Sequence, residues 1–252
     1  MSEEVEIIRE RQEWMVVHKP VPLLVHPTRP DGADTLIGRL ERQFPGKFFA
    51  AANRLDRETS GLVLIAKSRE TASSLGKQMM ARGMKKKYHA IVWGRPKEPL
   101  GIINAPLARI CSIRDYPIYV KQGIFAKHEG GQPATTRYQL QQTRYDTKGN
   151  PYSLLNLELD TGRLHQIRAH LGHIGLPIVG DKLYGPDDQC YLDYIETGWT
   201  PELAKKLILP RQALHASHLF FSWEEEGIHT ECSLPHDLVA FWDSLNASPH
   251  ES

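Results

Sequence analysis

Cysteine is scarce in this chain, with three in 252 residues. Cys111, Cys190 and Cys232 lie far apart and form no CxxC or Cys/His spacing, so no structural zinc site is expected. An odd, scattered set suits free thiols in a reducing cytoplasm. No segment approaches the roughly 20 apolar residues of a membrane span. The opening MSEEVEIIRERQEW is charged and acidic, unlike a secretory signal. Nucleotide cofactors are not indicated, because neither GxxxxGK[ST] nor a GxGxxG after a strand is present. GxSxG is missing too, and no cysteine has a convincing base nearby. Without HExxH, the three histidines His165, His170 and His173 make a weak metal set. The expectation is therefore no cofactor and no metal.

What is present is an ordinary globular composition, 40 % hydrophobic, enough for a sizeable core. The net charge of +1 conceals an asymmetry. Residues 51–100 carry 11 Lys and Arg against 4 Asp and Glu, whereas residues 186–252 carry 3 against 12. A basic middle folded onto one face attracts a polyanion; a blander reading has the two regions neutralise each other.

Short apolar runs predict strands at VEIIRE, WMVVHKP and LLVHP, the last two ended by prolines. TRPDGAD reads as loop. Asp34 is a candidate cap for a helix with Leu36, Ile37, Leu40 and Phe44 on one side. SGLVLIAK predicts a buried strand, and Ser68 a helix cap with Leu75, Met79 and Met80 facing the core. KKKYHAIVWG reads as a strand, and TTRYQLQQTRY with YSLLNLEL as a hairpin. A helix is expected over 163–174, with Leu164, Ile167, Leu171 and Ile174 inward. Residues 186–210 read as loop plus one short helix. ALHASHLFFSW pairs with GIHTECSL, a helix over 234–245 follows, and residues 247–252 form a tail. No βαβ rhythm recurs and no linker divides the chain, which suggests one α+β domain over 1–246 with a largely antiparallel sheet.

Three stretches hold residues suited to chemistry. In NRLDRETSGLVL, Asp56 stands between Arg54 and Arg57 ahead of Thr59-Ser60-Gly61. The arginines favour its ionised form, and a loop before a rigid strand presents reactive groups. A turn-capping aspartate explains the same pattern. In TGRLHQIRAHLGHIGLPIVGDKLYG, the side chains of Arg163, His165, Gln166 and Arg168 all donate hydrogen bonds suited to phosphate and ribose; a solvated helix face is the plain alternative. In GMKKKYHAIVWG, Lys85, Lys86 and Lys87 precede Tyr88, which suits a polyanion whose bases stack, or else a basic loop before a core tyrosine.

These segments, in this order, resemble the RluA-type RNA pseudouridine synthases, and the likeness covers most of the chain. VVHKPVPLLVHP resembles the family's Lys-Pro opening, NRLDRETSGLVL its RLDxxTSG motif, and KKKYHAIVWG the strand with its active-site tyrosine. The long segment from Thr161 resembles its third motif, and ALHASHLFF its late LHA strand. The resemblance implies a pseudouridine synthase fold, with a central mixed sheet, flanking helices and a cleft for RNA. It implies isomerisation of uridine in tRNA or ribosomal RNA with no cofactor. Asp56 is then the catalytic aspartate, Tyr88 the ring that stacks on the uracil and assists proton removal at C5, and Arg168 the arginine that pairs with the aspartate. Ile167 and Leu214 are apolar-wall candidates. Arg54 fills the gap left by a flipped base, while Arg57, Lys85, Lys86, Lys87 and Arg163 are candidate RNA contacts.

Two departures stand out. Residue 53 is Asn where the family often has His, which is expected to alter packing or RNA contact. No Gly follows Lys19-Pro20, which is expected to reshape one turn. An S4-type domain is not expected, so Gly123–Pro133 and residues 186–210 become candidate specificity elements. The partner expected is structured RNA, bound by a cytoplasmic monomer with no membrane and no obligate protein partner. An RNA-binding or RNA-folding factor without catalysis is the second reading. A sugar-processing hydrolase is the third, disfavoured by the missing second acid.

Overall fold

The computed structural model describes residues 4–27 and 33–248. In chain order the elements are β1 (Glu6–Glu10), β2 (Trp14–Lys19), α1 (Leu36–Gln43), β3 (Ala50–Ala51), β4 (Ser60–Ala66), α2 (Arg69–Met80), β5 (Lys85–Trp93) and β6 (Leu100–Asn104). There follow β7 (Leu107–Arg109), β8 (Gln122–Ile124), β9 (Thr135–Tyr145), β10 (Pro151–Leu159), α3 (Gln166–His173), α4 (Gln189–Thr197) and α5 (Pro201–Leu207). The chain closes with β11 (Leu214–Trp223), β12 (Glu226–Glu231) and α6 (His236–Asp243). Among the described residues no helix is long and apolar enough to cross a membrane. Residues 28–32 of the expected TRPDGAD loop and 249–252 of the expected tail lie outside the described residues.

Two compact units emerge, Met1–Tyr88 with His215–Pro235, and His89–Leu214 with His236–Ser252. The chain passes from one to the other three times, so no composition break marks the division.

In the first unit β2 pairs antiparallel with β1 and β4, and β3 pairs with the end of β4. β11 joins β4 in parallel and carries β12 antiparallel. The sheet is thus mixed and largely antiparallel. Every residue of β4 is buried. Leu62 and Leu64 pack with Trp14, Val16, Leu75, Leu219, Phe221 and Ile228 on one face. Val63 and Ile65 are buried on the other. Covered on both faces, the strand reads as a continuous apolar run.

Gly61 explains why the small residues precede that run. Its φ is +118°, and a Cβ there would stand 2.3 Å from the carbonyl oxygen and 2.6 Å from the amide nitrogen of Ala216, its neighbour on β11. Only glycine fits so close a backbone approach. Gly61→Ala is expected to cost about 3 kcal/mol or more of stability, read as a lowered urea midpoint.

Ser68 caps α2 as expected, accepting from the Thr71 amide at 3.1 Å. Leu75 is buried and Met79 packs against the core, but Met80 is 80 % exposed. One step past Met79 turns it about 100° round the helix. α1 is capped by Thr35, not Asp34: Thr35 Oγ1 accepts from Gly38 N at 3.1 Å, while the Asp34 carboxylate is held by Arg39 and Arg42. LLVHP is not a strand. Its carbonyls at Leu24 and Val25 take the amides of Leu36 and Ile37, and its Leu23 amide goes to Arg57 O.

In the second unit β9 and β10 form the long hairpin, and β6 pairs with β9. Asp146 closes the hairpin turn by accepting from the amides of Lys148 and Asn150. β7 and β8 form a separate pair, and Leu107, Ile118, Ala134, Ala169, Leu183 and Tyr184 pack together. Residues 186–210 hold two helices, not one. Gly198 ends the first, and Thr200 caps the second with Pro201 in its first turn.

Candidate active site

Asp56 sits half-buried on the loop before β4, between exposed Arg54 and Arg57 and next to buried Leu55. A turn fixes the loop, with the Thr59 amide donating to Asp56 O at 3.0 Å. Upstream, Asn53 is 1 % exposed; its Nδ2 donates to Leu62 O and its Oδ1 accepts from Leu64 N. The departure at residue 53 therefore concerns packing, since the side chain ties the loop to β4. Downstream, Ser60 Oγ bonds His215 Nδ1 at 2.9 Å, and His215 Nε2 lies 3.2 Å from Cys232 Sγ. Burial, with Glu6 adding to it, pushes the Cys232 thiol up to about 12, so it stays a neutral SH.

A third tie comes from Lys19, which is fully buried. Its ammonium donates to Pro20 O, Leu23 O and Arg57 O at 3.0, 2.7 and 3.1 Å. The lysine of the Lys-Pro pair thereby joins the turn after β2, which contains a cis Val21–Pro22 bond, to the residue following Asp56. Lys19→Met strips a charge-assisted donor from three carbonyls. We expect about 3 kcal/mol of destabilisation and increased proteolytic nicking near Arg57.

Tyr88 closes this group. It is 5 % exposed, and its phenol is raised far above the usual tyrosine range, first by burial and then by the negative charge of Asp56. The phenol therefore keeps its proton at neutral pH. The lysines ahead of Tyr88 do not act as one cluster, because a strand alternates its side chains. Lys86 shares the face of Tyr88, and burial holds its ammonium below the ordinary lysine range. Lys87 points to the other face, its Nζ 5.9 Å from the Phe220 ring centroid. Lys85 is exposed.

In the second unit α3 begins at Gln166, three residues later than its spacing predicts. Gln166 itself is the cause. Its Oε1 accepts from Thr161 Oγ1 at 2.7 Å and Arg163 N at 3.1 Å, holding residues 161–163 outside the helix. Its Nε2 donates to Thr135 O and Thr136 Oγ1. At 2 % exposure, Gln166 is committed to the fold and is withdrawn as an RNA contact. The expected solvated face is instead buried at Gln166, Arg168 and His170, and Leu164 and Ile174 are exposed. His170 places one ring nitrogen 2.8 Å from Thr136 Oγ1 and the other 2.9 Å from Ala105 O, so neither faces a shared ion.

Arg168 stands on α3 with Nε 2.7 Å from Asp181 Oδ2 and Nη2 2.9 Å from Oδ1. Burial alone would raise the Asp181 carboxyl. The Arg168 charge, its hydrogen bonds and the Tyr184 and Leu183 amides outweigh it and lower the pKa. The guanidinium also lies 5.0 Å from the Tyr184 ring centroid, and Tyr184 Oη is 3.1 Å from His165 Nδ1. His165 itself has φ 52°, a left-handed backbone that costs about 1–2 kcal/mol in a non-glycine residue. Arg163 is exposed, and Ile167 and Leu214 are buried. Lys19, Ser60, Asp181, Tyr184 and His215 are not among the site residues expected from the sequence. A lysine ending an apolar strand and an aspartate inside VGDKLYG were the available signals.

The family model described as RNA pseudouridylate synthase matches residues 13–173, a span holding Asp56, Tyr88 and Arg168. An uncharacterized RNA pseudouridine synthase of Chloroflexus aurantiacus is 38 % identical over 224 residues, 86 % of this chain and 61 % of that protein. Ribosomal large subunit pseudouridine synthase D of Nitrosomonas europaea is 32 % identical over 98 % of this chain and 67 % of its own length. The dual-specificity RNA pseudouridine synthase RluA of Vibrio vulnificus is 37 % identical over 73 % of this chain and 70 % of its own. The chain thus spans about two thirds or less of the first two relatives' length. Among solved structures, human RNA pseudouridylate synthase domain containing 1 shares the fold, with a TM-score of 0.73 at 24 % identity over 99 % of this chain and 91 % of that one. With the family model covering well over half of its residues, the chain belongs to the RNA pseudouridylate synthase family, in the RluA-type group that its motifs resemble.

Proposed function

We propose that the protein isomerises uridine to pseudouridine within RNA, with Asp56 as the catalytic carboxylate. The observation that carries this reading is the anchored loop that presents Asp56, tied down by Lys19, Asn53 and Ser60, with its charge felt at the phenol of buried Tyr88. Rigid anchoring of a carboxylate is what positioned chemistry needs.

The reaction breaks the N1–C1′ bond and forms C5–C1′, while C5 loses its proton and N1 gains one. No outside reactant is consumed. A target uridine inside folded RNA must be flipped out, at a cost of a few kcal/mol, and Arg54 is assigned to fill the gap. Tyr88 supplies a stacking surface. Its protonated phenol serves as a hydrogen-bond partner, and a phenolate base is not populated at neutral pH. Lys86, on the same strand face, is the lysine assigned to phosphate near the flipped nucleotide; Lys85, Arg57, Arg163 and His165 serve further along the RNA. Arg168 completes the catalytic set as a guanidinium fixed by Asp181, with Ile167 and Leu214 as apolar wall. The substrate is a tRNA or ribosomal RNA met in the cytoplasm.

RNA bearing 5-tritiated uridine tests the reading, because proton loss from C5 releases tritium to water. Wild-type protein should release it from transfer or ribosomal RNA in step with pseudouridine formation. Binding with no release would favour an RNA-binding or folding factor, and release of free uracil would favour a hydrolase.

A further inference from the structure

The β11–β12 hairpin carries a second cluster of chemically capable side chains. His218 stands directly opposite Glu231 in the strand register, and His229 lies two residues before Glu231 on β12. Residues two apart on a strand share a face. One ligand atom from each of the three can be chosen so that all lie within 4.8 Å of one another, the one such His/Cys/Asp/Glu group among the described residues.

The surroundings orient both imidazoles. Ser217 Oγ donates its proton to Lys87 O at 3.3 Å and lies 2.9 Å from His218 Nδ1. A hydroxyl proton directed to that carbonyl leaves the serine oxygen to accept from the Nδ1–H tautomer of His218. Neutral His218 then carries its lone pair on Nε2, which faces Glu231 Oε2 at 3.5 Å. A hydroxyl partner on the distal nitrogen is the kind of outer-shell bond that fixes the tautomer of a metal-binding histidine. His229 is held by stacking on Phe220, with centroids 4.3 Å apart and planes 2° from parallel. His218 lies nearly parallel to it, 15° apart at 5.7 Å.

We propose that His218, His229 and Glu231 form a binding site for a divalent first-row transition metal ion, with zinc the natural occupant. Two imidazoles and one carboxylate are a zinc donor set, and three protein ligands leave a fourth position for water. Tetrahedral ligands at about 2.0–2.1 Å from the ion stand roughly 3.3 Å apart, so rotation of the exposed Glu231 and His229 side chains brings the group to bonding distance. An ion there clips β12 to β11. Lys87 adds a positive charge nearby and keeps the affinity below that of a closed structural site. This site is independent of the assigned isomerisation and uses none of its catalytic residues.

Cobalt(II) is the probe, because tetrahedral coordination gives it strong visible d–d absorption. Chelator-stripped full-length protein should bind one equivalent of Co²⁺ with that spectrum, Zn²⁺ should displace it, and Zn²⁺ should raise the Tm. His229→Ala and Glu231→Gln, both at exposed positions, should each weaken Co²⁺ binding at least tenfold while keeping the metal-free Tm and far-UV circular dichroism of the parent. Absence of the spectrum, or a spectrum unchanged in both variants, overturns the site. A variant with a lowered metal-free Tm is replaced by His229→Gln, for which the same loss is expected.

Discussion

Asp56→Asn should yield a folded protein that still binds RNA and forms no pseudouridine, with a loss of about 10⁴-fold or more in single-turnover rate. The substitution keeps the size of the side chain and removes its charge. The loop has anchors other than that carboxylate. The bonds on each side of it come from Asn53 to β4, Lys19 to Arg57 O, the Thr59 amide to Asp56 O, and Ser60 to His215. These anchors should keep the variant folded, read as a native far-UV circular dichroism spectrum and a single cooperative melt. A variant retaining a tenth of the rate would place the chemistry elsewhere.

Asp181→Ala should be the most damaging change to stability, by about 3–5 kcal/mol, because it leaves the Arg168 guanidinium buried without its bidentate partner. Asp181 Oδ1 also accepts from the amides of Leu183 and Tyr184, so the same change loosens the VGDKLYG turn. The folded-state pKa of Asp181 is depressed. Its contribution is therefore fully present above the unfolded value of about 3.9 and is lost as pH falls through the lower folded value. Wild type should lose stability over that acid range, and the variant should show a flatter profile there. Urea titrations from pH 7 down to pH 2 measure both. Replacing Asp181 and Arg168 together by apolar residues should recover much of the stability and none of the activity, which separates the structural part of Arg168 from its assigned catalytic part.

Much of this was legible in the residues. The buried run of β4, the Ser68 cap and the β9–β10 hairpin follow from apolar pattern and turn chemistry. What was not legible depends on distant partners. Helical spacing over 163–174 gives no sign that Gln166 folds back onto Thr161 and the Arg163 amide and delays the helix. Nor can it show that Arg168 and His170 are buried, since their partners Asp181, Thr136 and Ala105 lie elsewhere in the chain. Three consecutive lysines look like one patch, and only strand geometry sends Lys86 and Lys87 to opposite faces. Asp34 and Thr35 are both good caps on paper. Arg39 and Arg42 occupy the aspartate, and the threonine takes the amide. Gly61 is conspicuous in the sequence, but the reason for it is the Ala216 backbone of a strand some 150 residues away.

The proposed activity, pseudouridine formation in RNA through Asp56, has a direct cellular readout. Mapping pseudouridines across all cellular RNAs, in cells with and without the gene, tests it most directly. At least one position should revert to uridine on deletion, return with the wild-type gene and stay uridine with Asp56→Ala. A map unchanged by deletion, or a site restored by the Asp56→Ala protein, would contradict the account.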